Sequence, residues 1–157
     1  KFVIKGREAV LLLVKNPTGF NQTLAMLVQD ETDKNLFIAL NDNAADGRDI
    51  SWIWDVDVEV LGENQGCIQK VVCSGQRSGD MAVRVKYSGV DTAKIFIESD
   101  LKKGIIQTLG QRAERSYILC TYTALFAVRK ILKGMSARTA AGPLMSPYQE
   151  KEETQHE

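Results

Sequence analysis

Three short stretches of the chain gather the side chains that could do chemistry. The longest, LNDNAADGRDISWIWDVD from Leu40 to Asp57, holds five aspartates, two asparagines and one arginine. Asp42, Asp46 and Asp49 crowd around Arg48. Carboxylates grouped this way can bind a metal, orient a base, or simply solvate a loop. A calcium loop of the EF-hand type does not fit, because the glutamate required at its twelfth position is missing. A single arginine amid aspartates predicts an internal ion pair that holds some of them in place. A carboxylate beside a histidine can fix its tautomer and stabilise the imidazolium. The only histidine is His156, the penultimate residue. An aspartate working in that way would have to serve a histidine on another chain.

The second stretch is KNPTGFNQ, Lys15 to Gln22. Gly19 permits close approach of backbone to a ligand, and a helix N-terminus after it would favour an anion near Lys15 and Asn16. Composition alone favours a plain strand-to-helix turn, since Asn, Pro and Gly are ordinary turn residues. The third is SGQRSGD, Ser74 to Asp80, where Gly75 and Gly79 bracket Arg77. Arg77 can pair with a carboxylate or a phosphate, and a structural glycine turn explains the stretch almost as well. Trp52, Ile53 and Trp54 follow the aspartate loop directly. Each aromatic can bury on the order of 150–250 Å². Two of the three are expected in the core, leaving one to face a partner.

Cys67, Cys73 and Cys120 are odd in number, and their spacing matches no metal motif. They read as reduced thiols, Cys73 and Cys120 each closing an apolar run. With no histidine nearby, the residues argue against a self-contained Cys-His or Ser-His catalytic unit, and no metal site is expected.

The elements that must position these loops alternate. KFVI, Ala9–Val14, Asn35–Leu40, the region of Val71 and Val72, AKIFIES and SYILCTYT read as strands. The run Ala9–Val14 is expected to be buried on both sides. Phe20, Leu24 and Leu27 mark one helix face, as do Leu101, Ile105 and Leu109, and Leu125, Val128 and Leu132. Asp80 to Tyr87 suits a helix with Met81 and Val85 inward and Arg84 and Lys86 outward. Thr121 or Thr123 is expected to cap the last helix. This alternation predicts an α/β, Rossmann-like domain with a mostly parallel sheet covered on both faces, and ligands beyond the carboxyl ends of its strands.

The chain has 157 residues, 44% of them hydrophobic, with 20 basic and 20 acidic residues. Net charge zero is unlike the basic footprint of a nucleic-acid binder. No apolar run is long enough to span a bilayer, so the chain does not read as an integral membrane protein. There is no P-loop and no Gly-x-Gly-x-x-Gly fingerprint. Starting at Lys1 in mid-strand reads as a piece of a longer chain. Residues 1–134 read as one domain and 135–157 as a flexible tail, with Leu144, Met145 and Tyr148 as anchors should the tail dock.

LLVKNPTGFNQTL, IALNDNAADGRDISWIWDVDVE, SGQRSGDMAVRVKY and TYTAL together resemble the C-terminal domain of the MurT family, the Mur ligase-like subunits of lipid II isoglutaminyl synthases. The resemblance runs from Val10 to Leu132. It implies a Rossmann-like domain that closes over ATP held, with Mg2+, by an upstream domain of the full ligase. It implies amidation of the D-glutamate α-carboxylate of lipid II to D-isoglutamine, through an acyl phosphate. Ammonia would come from glutamine hydrolysed by a GatD-type amidotransferase partner, in the cytoplasm at the inner membrane face. Alone, the domain would bind no cofactor and make no amide.

Residue by residue, the resemblance implies that Asp49, the last aspartate of the DGRD string, completes the partner's cysteine–histidine triad. Asp46 is the other candidate. Lys15 and Asn16 match a string near the nucleotide. Asp42 and Asn43 match a substrate-facing string whose proline and adjacent arginine are absent here, and Arg48 is the candidate to replace that arginine. The alternative reading of the same residues is a non-catalytic docking module for the amidotransferase, anchored by Trp52 or Trp54.

Overall fold

The computed structural model describes residues 1–110 and 113–141. His156, Leu144, Met145, Tyr148 and most of the expected tail lie outside the described residues. Six strands form one sheet: β1 (Phe2–Ile4), β2 (Arg7–Leu13), β3 (Lys34–Ala39), β4 (Ile68–Ser74), β5 (Ile95–Ile97) and β6 (Arg115–Cys120). Their spatial order is β1-β2-β6-β3-β4-β5. Only β1 pairs antiparallel, through a hairpin turn at Lys5 and Gly6, both at positive φ. The other pairings are parallel. The helices are α1 (Pro17–Gln29), α2 (Glu59–Glu63), α3 (Ser78–Tyr87), α4 (Leu101–Thr108) and α5 (Tyr122–Ala141). The sheet, mostly parallel and covered by helices, is the α/β, Rossmann-like fold that the alternation predicted.

Strand side chains alternate between two apolar layers, as the twofold period of a strand requires. Leu36, Ile38, Val71, Cys73 and Leu119 face Phe20, Leu24 and Leu27 of α1 and Met81 and Val85 of α3. Phe37, Ala39, Val72, Ile118 and Cys120 face Ile105 of α4 and Ala124, Val128 and Leu132 of α5. All six residues of β3 are buried, because it has strands on both sides and helices on both faces. The strand expected to be buried on both sides, Ala9–Val14, is not. Only Ala9 and Val14 are buried, and Leu13 is exposed, because β2 is followed at the sheet edge only by the short β1.

Helix α5 does not stop at Gly134. It runs to Ala141, so residues 135–141 of the expected tail are helical. The apolar face continues through Leu132 to Met135, and the Ser136 hydroxyl donates to the Val3 carbonyl at 3.3 Å. Those contacts outweigh a mid-helix glycine, which costs about 1 kcal/mol relative to alanine.

The order of connections creates a crevice. The chain leaves β3 on the face that carries α1 and α3, heading for β4. It leaves β6 on the opposite face, where α5 packs back over β2 and β1. Adjacent parallel strands whose connections diverge in this way form a topological switch point, the usual ligand position in open α/β sheets.

Candidate functional site

The switch point is filled by a hydrogen-bonded network from three strand ends. Asn41, buried just beyond β3, receives and gives bonds on all sides. Its backbone N–H donates to Thr121 Oγ1 at 2.9 Å, its Nδ2 donates to Thr123 Oγ1 at 3.0 Å, and its Oδ1 accepts the Gln76 N–H at 3.0 Å. The chain can reach this geometry after β4 because Gly75 has φ +85°. A Cβ at Gly75 would also lie 2.7 Å from Asn41 Oδ1 and 2.9 Å from the Leu40 carbonyl.

Thr123 is the hub. Its hydroxyl donates to Asp46 Oδ2 at 2.5 Å and accepts the side-chain amides of Asn41 and Asn43, each at 3.0 Å. One donor and two lone pairs are all that a threonine hydroxyl has. Asp46 also accepts the Thr123 backbone N–H at 2.8 Å and the Asn43 N–H at 3.1 Å. The α5 cap therefore comes from Asp46, sent over from the β3 loop. The expected side-chain caps, Thr121 and Thr123, are committed elsewhere, Thr121 to Asn41 and to the Ala39 carbonyl.

Gln76 closes the other side. Its Oε1 accepts the Asp42 N–H and its Nε2 donates to Asn43 Oδ1, both at 3.0 Å. Arg77 binds Asp42 at 3.0 Å and Asp80 at 2.8 Å. Asp80 and then Asp42 raise the Arg77 pKa above its usual range, and Arg77 in turn holds Asp80 below the usual carboxylate value. The ion pair expected of Arg48 among the aspartates is thus made by Arg77 instead. Arg48 is exposed and forms no ion pair among the described residues.

Asp49 stands apart from this network. It is exposed, and its Oδ1 accepts the Ser51 backbone N–H at 2.9 Å. That bond, with help from the Ser51 side chain, lowers its pKa and favours the ionised form. Lys15 and Asn16 sit on a separate loop beyond β2, both exposed. Asn16 caps α1, its Oδ1 accepting the Gly19 N–H at 2.8 Å, and no hydrogen bond joins either residue to the network. Asp42 and Asn43 are thus brought together with Asp46, while Lys15, Asn16, Arg48 and Asp49 are not hydrogen-bonded to them.

The wall behind the loop is a five-residue 3-10 helix, Ser51–Asp55. Ile53 is buried, Trp52 packs edge-on against Phe20 with ring centroids 6.2 Å apart, and Trp54 is 51% exposed. Arg84 does not point outward as its charge suggested. It is 3% exposed, and it donates to the carbonyls of Ile53 at 2.9 Å and Val56 at 2.6 Å, pairs with Glu59 at 2.9 Å, and lies 5.1 Å from the Trp54 ring centroid. Each carbonyl also accepts a backbone N–H, Ile53 from Val56 at 3.4 Å and Val56 from Val58 at 2.9 Å, and the guanidinium uses their second lone pairs to tie the wall to α3. Residue reading missed this arginine, and also Gln76 and the hub role of Thr123. The signal was present in the first case: Met81, Arg84 and Val85 have the i, i+3, i+4 spacing of a buried face.

Among the described residues no three histidine, cysteine, aspartate or glutamate side chains converge to hold a metal. No described helix is long and apolar enough to cross a membrane.

Comparison with known proteins places the chain in a family. The chain is 35% identical over 131 residues to the lipid II isoglutaminyl synthase (glutamine-hydrolyzing) subunit MurT of Streptococcus pneumoniae, covering 83% of this chain and 29% of that protein. It is 41% identical over 106 residues to the subunit of the same name in Staphylococcus aureus, covering 68% of this chain and 24% of that protein. The chain thus spans under a third of the length of these relatives. A murein peptide ligase from Psychrobacter arcticus superposes with TM-score 0.49 at 9% identity, covering 86% of this chain and 29% of that one. The family model of the MurT ligase C-terminal domain matches residues 13–125. That span opens at the last residue of β2 and takes in every strand end and loop that builds the network, and the chain belongs to the MurT ligase C-terminal family.

Proposed function

We propose that this chain is the C-terminal domain of the ligase subunit of an ATP-dependent, glutamine-using enzyme that amidates the D-glutamate α-carboxylate of lipid II. In this reading Asp49 is the carboxylate that orients the histidine of a partner glutaminase. One observation carries it: Asp49 is an exposed, ionised carboxylate, anchored by Ser51 and left out of the network that consumes its neighbours. Asp46, the other candidate, spends both oxygens on Thr123 and Asn43. A carboxylate that must meet a base on another protein needs Asp49's exposure and not Asp46's engagement.

ATP, bound with Mg2+, would supply the leaving group that lets ammonia attack a carboxylate. Lys15, exposed beside the capped start of α1, fits a phosphate contact, where its charge and the helix N-terminus act together. Asn16 contributes the cap and not a free amide oxygen. Asp42 and Asn43, held by Arg77, Gln76 and Thr123, present a rigid polar edge to the substrate side.

The test uses the full ligase subunit with its glutaminase. Asp49→Asn is expected to lower glutamine hydrolysis by roughly 10³–10⁴-fold, the scale for losing the orienting carboxylate of a triad. Amidation driven by added ammonium salt should persist. Undiminished glutamine turnover in the variant would sink the assignment.

A second reading, docking without catalysis, draws on Trp54 and on Tyr87, which is 70% exposed and lies 6.2 Å from it between ring centroids. There Trp54→Ala would abolish capture of the glutaminase in a pull-down while Asp49→Asn left glutamine turnover intact.

A further inference from the structure

The two faces of the sheet carry opposite charge. The helices on one face, α4 and α5, contain no acidic residue within their bounds. They present Lys102 and Lys103 from α4, and Arg129, Lys130, Lys133 and Arg138 from α5, all exposed. None of these cations forms an ion pair among the described residues. The acid nearest in sequence, Asp100, is used as the α4 cap, accepting the Lys103 N–H at 2.8 Å. The opposite face exposes Asp55, Asp57, Glu59, Glu63 and Asp80.

The basic face also exposes apolar groups of the kind that matter at a lipid boundary. Ile106 is 52% exposed, Tyr122 46% and Phe126 56%, and the last two form an edge-to-face pair at 5.1 Å. Beside them Phe2, Leu11, Leu13 and Leu125 floor an open groove of about 500 Å³ whose rim carries Arg129 and Lys133. Unpaired cations interleaved with exposed aromatic and aliphatic groups along a helix match an anionic interface: charges reach the headgroups while rings sit at the acyl boundary.

We infer that the exposed face of α4 and α5 docks on an anionic phospholipid surface, with α5 lying along it and Phe126 and Tyr122 inserted. Charge complementarity selects this occupant, since six cations with no ion-pair partner among the described residues, on helices that contain no acid, repel a basic partner and leave a neutral one unsatisfied. The inference does not depend on the ligase reading, and its assay contains neither ATP nor glutamine.

The experiment is flotation of the 157-residue chain, and of the full-length subunit, with vesicles of phosphatidylglycerol and phosphatidylcholine in equal parts or of phosphatidylcholine alone. Both proteins should partition at least about 10-fold more strongly onto the anionic vesicles, and high salt should remove the difference. Lys130→Glu with Lys133→Glu should weaken binding by roughly 10-fold or more. Phe126→Ser should weaken it at unchanged salt dependence. Thermal melts confirm that the variants fold, and Lys86→Glu, on the opposite face, is the control expected to change nothing. Equal partition onto neutral vesicles, or charge-reversed variants that bind as before, would overturn the proposal. So would flotation of the short chain but not of the full subunit, which would mean that the rest of the protein covers this face. Binding that duplex DNA competes away at equal phosphate concentration would mark a general polyanion surface and overturn it too.

Discussion

At the scale of single residues, the site depends on hydroxyl and guanidinium groups with no spare capacity. Thr123→Val keeps the shape but takes the hydroxyl donor from Asp46, which retains its two backbone N–H bonds, and removes the acceptor of two asparagine amides. We expect a loss of about 1–3 kcal/mol in urea denaturation, with Thr123→Ser close to wild type. Arg84→Met should cost about 1–3 kcal/mol by removing the charged hydrogen bonds to the Ile53 and Val56 carbonyls and to Glu59, and should shift tryptophan emission as Trp54 loses its cation. Arg84→Lys should not restore it, because an ammonium cannot span both carbonyls and the carboxylate. Thiol titration should report Cys67 only: burial pushes the Cys73 thiol up to about 12 and Cys120 higher still. Much of this was legible. The polar strand-end loops and buried cysteines follow from residue type, whereas Thr123, Gln76 and Arg84 act on partners 25 to 82 residues away in the chain, a relation that local pattern does not encode.

At the scale of elements, close approach decides what the sequence tolerates. A Cβ at Gly62 in α2 would lie 2.3 Å from the Ser88 carbonyl, and one at Gly104 in α4 would lie 2.9 Å from the Phe37 ring. Gly62→Ala forces backbone to move, and about 1–3 kcal/mol of destabilisation is expected by thermal melt, in spite of alanine's better helix propensity. Gly134→Ala meets nothing within 4 Å and should instead stabilise α5, by up to about 1 kcal/mol. The pairing of strands and helices was readable from periodicity. The 3-10 helix at Ser51–Asp55 and the short α2 were not, because their apolar residues are too few to show a period.

Over the whole molecule, charge sets both orientation and acid sensitivity. At the amino ends of the strands Arg115 binds Glu8 and Asp30, each at 2.7 Å, and the Tyr117 hydroxyl donates to Asp30 at 2.6 Å. Burial alone would raise the Asp30 carboxyl, but hydrogen bonds from Thr32, Tyr117 and Arg115 overcome it and hold its pKa well below the usual range. A depressed carboxylate contributes stability that is present above its unfolded pKa, about 4, and lost as pH falls through the folded value. Thermal midpoints should therefore be insensitive to Asp30 between pH 5 and 7 and fall below about pH 4, and Asp30→Asn should flatten that acid limb while lowering the plateau.

The position of β6 has a consequence for how the chain acquires its shape. It lies between β2 and β3, yet it is the last strand made. Until residue 115 is available, the hairpin β1–β2 and the trio β3-β4-β5 have no hydrogen bonds between them, and each presents a bare edge. A chain stopped after residue 114 should remain two open sheet fragments prone to association, and should show no cooperative melt. The same late strand leads into Thr121 and Thr123, so the polar network closes only when β6 has been inserted. Assembly of the loop that runs from Asn41 to Asp49 is then timed by the completion of the domain, and a half-made chain cannot hold that loop in its finished form.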